Sequence, residues 1–251
     1  MHKMQEIVDL IEAQKANLAE GLLFKWLSDE EVEGHRRLAF APAMLYYLMG
    51  FKDVLSELKR ENPTGPIDRA INAYCGEDAE HWRWYLTDLE KLGFSIRTWG
   101  DTIPQWCNEV WSDDTQVNRR TISRLIHYAK LNRHPLFAMT LIFVFEATGV
   151  VFIGHTRKAA IAMDMDDGLD YFGRLHFEEE FGHSVQARNL SHEELPDEVY
   201  ILAIKAVSEL FTDYSALFNC WYEHRHRYMY HDPSSTQETG SESPCLPTSH
   251  G

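Results

Sequence analysis

The sequence predicts an all-α protein on three observations. Apolar residues recur at helical spacing almost everywhere, no run of alternating β-branched residues appears, and 251 residues suit one sizeable core without an interdomain linker. The expected organisation is one helical domain over 1–231, followed by a disordered tail at 232–251 that is rich in Ser, Thr, Pro and Gly and lacks periodicity.

The helices follow from pattern and punctuation. A first covers about Met4 to Trp26, with Ile7, Leu10, Ile11 and Leu18 on one stripe, and stops near Ser28-Asp29-Glu30-Glu31. A second runs from Ala41 to Glu61 and ends at Asn62-Pro63-Thr64-Gly65-Pro66. A third spans Ile67 to Leu92 and stops at Gly93. A short element at Trp106–Trp111 precedes a helix capped by Asp113-Asp114-Thr115 and reaching Leu131. Pro135 opens an apolar helix to Met163, a further helix covers Leu169 to Leu190, and a last one continues to Tyr228.

Composition removes several function classes. With 39 acidic against 24 basic residues, the formal charge of -15 repels phosphate backbones and anionic membranes, which argues against nucleic acid as a partner. Cys75, Cys107, Cys220 and Cys245 are scattered, with no Cys-x-x-Cys pair, so neither a thiolate zinc site nor a disulfide framework is expected, which fits a reducing cytoplasm; Cys75, Cys107 and Cys220 are each read as a buried apolar residue. The N-terminus lacks the marks of a secretory signal. Glu146 is the only ionisable residue between Leu136 and Gly154, a stretch read as a buried central helix rather than a membrane span.

The most telling stretch is His176-Phe177-Glu178-Glu179-Glu180-Phe181-Gly182-His183. At about 100° per residue, His176, Glu180 and His183 fall within roughly 60° of arc and can converge on one point. Imidazole with carboxylate suits iron, manganese or zinc; the bland alternative is an exposed acidic face with two incidental histidines. In the third helix, either Asp78 or Glu77 shares a face with His81. Glu146 lies among apolar neighbours, where an ionised carboxylate costs several kcal/mol unless a cation meets it. Together these are carboxylates and imidazoles from three helices, enough for two metals, with two irons the first choice.

At these residues the chain resembles the haem-oxygenase-like di-iron oxidases and oxygenases, which carry no haem. The match rests on Asp78-x-x-His81, lone Glu146 in an apolar helix, and the His-x3-Glu-x2-His stripe ending at His183, and it covers roughly residues 5 to 230. The chain departs from the family at the first ligand position, where glutamate is usual and Asp78 stands beside Glu77. The resemblance implies a bundle of about seven helices and metal ligands Asp78, His81, Glu146, His176, Glu180 and His183, with Glu146 bridging and able to shift during catalysis. It further implies two Fe(II) ions loosely retained, O2 as co-substrate, and an amino acid, amine or fatty acid as the small-molecule substrate, undergoing N-oxygenation or oxidative C–C cleavage or desaturation. An external reductant and a homodimer are compatible with it.

Other classes make distinct demands. A ferritin-like di-iron bundle needs a further upstream carboxylate, with Glu57 the candidate, and leaves His176 without a role. A thiaminase-like protein of the same fold needs a pocket cysteine. A helical binding protein with a vestigial site would hold no iron. His155 is read as a bonded core histidine, Arg174 as a surface salt-bridge former, and the aromatics around the stripe chiefly as core.

Overall fold

The computed structural model describes residues 2–183 and 190–228, with the side chains of residue 96 and residues 180–183 outside that description. It bears out the all-α reading. Among the described residues the β structure is a two-residue antiparallel pair, β1 (His2–Lys3) with β2 (Glu194–Leu195), in which His2 faces Leu195. No alternation signalled it. Met4 N–H donates to the Glu193 carbonyl at 2.9 Å and Gln5 N–H to that of Ser191 at 3.1 Å, so the clip anchors the start of the first helix to the turn before the last. The tail expected at 232–251 lies outside the described residues.

The architecture is built around one helix. Helix α9 (Pro135–Ala162) packs against α1 (Met4–Ala19), α2 (Leu22–Leu27), α3 (Gly34–Arg37), α5 (Pro66–Glu77), α8 (Gln116–Leu131), α10 (Arg174–His183) and α11 (Asp197–Glu223). A helix that is apolar all round needs neighbours all round, and this one has them. By length and composition α9 could cross a membrane, but 89% of its apolar window is buried against protein, which accounts for that hydrophobicity as core. Gly34 lets α3 approach closely: a Cβ there would stand 2.4 Å from the Met163 side chain and 2.8 Å from the Ala159 carbonyl oxygen.

Several expected helices are divided. The stretch from Met4 to Trp26 breaks at Glu20–Gly21, between α1 and α2. The region expected to be helical from Ala41 begins as a 3₁₀ turn over Ala41–Met44, with Pro42 inside it, before α4 (Leu45–Leu58). The third helix is interrupted by a 3₁₀ turn at Asp78–Glu80, between α5 and α6 (His81–Lys91). Helix α7 (Ile103–Val110) starts earlier than expected because Thr102 and Gln105 form a reciprocal capping box.

The stripe helix also starts later than the expected Leu169. Residues 170–172 give their N–H groups to the Asp88 carboxylate instead of to a helix ladder. Gly173 then passes so close to the preceding turn that a Cβ would lie 2.2 Å from the Leu169 carbonyl oxygen.

The aromatic centre joins α9 to α11. Phe152 and Phe218 stack at 5.7 Å, and fully buried Trp221 packs edge-on to both while its indole N–H donates to Asn118 on α8 at 3.0 Å. Towards the surface, Glu209 on α11 accepts from Tyr128 Oη at 2.7 Å and from Arg124 at 2.6 Å, both on α8.

The Tyr128 hydrogen bond, then that of Arg124, hold the Glu209 carboxyl below its ordinary value. A depressed folded-state pKa contributes stability above the unfolded value that disappears as pH falls through the folded one. With the side chain about a third exposed (35%), solvent screening limits the contribution. Glu209→Gln is expected to cost about 0.5–1 kcal/mol at pH 7 and to flatten the loss of stability below the ordinary carboxylate value, as read by urea titrations across pH.

Candidate metal centre

The bend between α5 and α6 puts Asp78 and His81 inside the protein, with 6% and 7% of their surfaces exposed. Neighbouring Glu77 is exposed, so of the two acids Asp78 is the one on the cavity wall. His81 Nδ1 stands 3.7 Å from Asp78 Oδ1 and Nε2 stands 3.3 Å from Glu179 Oε2. Its ring stacks on Trp84 with centroids 4.5 Å apart.

His176, in the first turn of α10, meets the His81 ring edge-to-face at 4.5 Å. Its Nδ1 lies 2.9 Å from the Tyr171 carbonyl. A carbonyl only accepts, so Nδ1 carries the proton and the lone pair belongs to Nε2, the arrangement that metal-binding histidines use.

The position of Tyr171 is itself set from α6. Fully buried Asp88 accepts from the N–H groups of Asp170, Tyr171 and Phe172 at 2.9, 2.8 and 3.0 Å. Burial raises its carboxyl pKa, and the three N–H bonds pull the other way.

Asp78, His81 and His176 line a cavity of about 70 Å³ whose other walls are apolar and aromatic, among them Phe51, Phe152, Phe218 and Trp221. The hydroxyls of Tyr47 and Tyr214 pair at 2.9 Å on the same wall. Burial drives both phenols well above their ordinary value, so they act as neutral hydrogen-bonding groups.

Glu146 is buried (4% exposed) as expected, but it lines a second, smaller cavity of about 40 Å³ beside Glu12 and Lys15 of α1. Phe145, Thr148 and Gly149 of the same helix face the main cavity. Glu146 projects about 100° around α9 from Phe145 and lines the smaller cavity alone of the two. Glu180 and His183 fall within the backbone of α10, and their side chains lie outside the described residues. Among the described residues, no three His, Cys, Asp or Glu side chains gather tightly enough to hold a metal ion. The donor chemistry nonetheless fits a transition metal: two imidazoles and an acid are buried on one wall, and one imidazole has its tautomer fixed by a carbonyl.

Glu57 pairs with Lys130 at 3.3 Å on the surface, outside the cavity lining, which removes the upstream acid proposed for a ferritin-like set. Cys107 is exposed, against expectation; Cys75 and Cys220 are buried, with burial pushing each thiol up to about 12, so neither is an activated nucleophile. His155 bonds the Val151 carbonyl at 2.7 Å, and Arg174 pairs with Asp167 at 2.7 Å, as read. The contact of Glu179 with His81 was missed; its place one turn after His176 in the acidic run was the available signal. No family model matches the chain, and no curated protein matches it.

Removing the Asp88 carboxylate leaves three N–H groups without that acceptor, those of Tyr171 and Phe172 buried and that of Asp170 partly so. Asp88→Ala is expected to lose about 3 kcal/mol in urea unfolding, and Asp88→Asn, which keeps an acceptor oxygen, less than that.

Proposed function

We propose that the chain is a non-haem di-iron enzyme that uses O2 to oxidise a small organic substrate: an amine, an amino acid or a fatty acid. The carrying observation is the convergence of His81 and His176, drawn from two separated helices, on the wall of a mostly apolar cavity with Asp78 beside them. The reading assigns Asp78, His81, Glu146, His176, Glu180 and His183 as metal ligands, a haem-oxygenase-like fold to the bundle, and the cytoplasm as its place. Bound there, two ferrous ions would supply the reducing electrons that dioxygen chemistry requires, with an external reductant to restore them.

The chain's own groups have definable tasks. Tyr171 O holds the proton of His176 at Nδ1, which keeps the ring's lone pair on Nε2. The apolar walls exclude bulk water, which strengthens every polar contact within. The Tyr47–Tyr214 pair gives the cavity a neutral polar point at which a substrate heteroatom can be oriented. The ferritin-like alternative loses its upstream acid, because Glu57 is engaged at the surface.

The test is anaerobic loading with ferrous ion, followed by metal analysis of the desalted protein. Two irons per chain are expected, with His81→Ala and His176→Ala each retaining less than half of that and Glu57→Ala unchanged. No iron in the wild-type protein would instead indicate a binding module. Oxygen consumption by the loaded protein is then expected to rise with a member of one of the three substrate classes.

A further inference from the structure

At the end of the bundle where α4 and α8 terminate, a groove of about 730 Å³ is lined by Lys59, Arg60, Lys130 and Arg133, with Glu57 and Glu61. It shares no lining residue with the candidate metal centre. In a chain of formal charge -15, four cations gathered against two acids are a local inversion of sign.

The cations are held in place by groups that leave much of their charge uncompensated. Arg133 donates to the carbonyls of Glu57 and Lys59, which are neutral acceptors. Asn72 clamps residue 60 from both sides, its Oδ1 accepting from Arg60 N at 2.7 Å and its Nδ2 donating to Arg60 O at 2.9 Å. The Arg60 side chain is nearly buried (8% exposed), and its nearest carboxylate is Asp68 Oδ1, 3.5 Å from Nε. The other Asp68 oxygen already accepts from the backbone and hydroxyl of Thr64. Among the described residues neither Nε nor Nη2 of Arg60, both buried, has a hydrogen-bond partner.

Burial lowers the Arg60 pKa and the charge of Arg133 lowers it further, ahead of the opposing effect of Asp68. Lys130 meets Glu57 at 3.3 Å, but both are well exposed, and such pairs exchange readily for a better partner.

We propose that this groove binds a small molecule through its phosphate group, with Arg60 and Arg133 as the central cations and Lys59 and Lys130 at the sides. Several cations on converging elements favour an anion of more than one charge, and guanidinium matches phosphate geometry. The groove is open to solvent, so a substituent on the phosphate can extend from it.

The test is calorimetric titration of the full chain at low salt with inorganic phosphate, adenosine monophosphate and adenosine. Saturable binding of the monophosphate or of phosphate, with none of adenosine, is expected; a tighter monophosphate identifies an ester as the ligand, and equal affinities identify the free anion. Lys130→Glu, at an exposed position that leaves the core intact, and Arg60→Gln are each expected to weaken binding about tenfold or more. Lys205→Glu, a surface control on α11, is expected to have no effect. Absence of saturable binding, an unaltered affinity in a Lys130→Glu protein of wild-type thermal stability, or an equal loss in Lys205→Glu overturns the proposal. None of these outcomes bears on iron binding, so the two readings stand or fall separately.

Discussion

The placement of the candidate centre depends on one buried carboxylate. Asp88 lies on α6, the helix that begins with His81, and takes the N–H groups of three successive residues ahead of α10, the helix that carries His176. Burying a carboxylate is costly unless hydrogen bonds compensate it, and here three do, with Lys91 nearby at 3.8 Å. Tyr171 is the joint between the two helices. Its N–H is fixed by Asp88 and its carbonyl fixes His176, so α6 governs both imidazoles although they come from distant parts of the chain.

Most helices were legible in the sequence because a 3.6-residue period of apolar residues survives any tertiary context. Glu146 was legible for a related reason: a single ionisable group in a long apolar run stands out against its background. The interruptions were not. The start of α10 is set by a carboxylate eighty-odd residues earlier, a contact that leaves no local trace. The turn at Asp78–Glu80 has neither Gly nor Pro within it, so the third helix reads as continuous when it is not.

The same facts explain the uneven legibility of the site. The choice between Asp78 and Glu77 could not be made from a helical wheel, because the wheel does not hold through a 3₁₀ turn; burial separates them. Glu179 lies to one side of the stripe formed by His176, Glu180 and His183, and a wheel gives it no role. It nonetheless stands 3.3 Å from His81, the first residue of α6. Conversely, Glu57 sits on a helix near the right elements, yet its position at the end of α4 turns it towards Lys130 and solvent.

Helix α9 also constrains the order in which the molecule can assemble. The helices that precede it are synthesised before the surface they pack against exists, and α1 needs not only α9 but also α11 and the strand at Glu194–Leu195. Pairings between the two extremities of a polypeptide are slow to close, and apolar faces left waiting invite aggregation. During translation the early helices therefore wait for α9 before their apolar faces can be buried against it, and the N-terminal clip can fasten once residues 191–195 have emerged, ahead of α11.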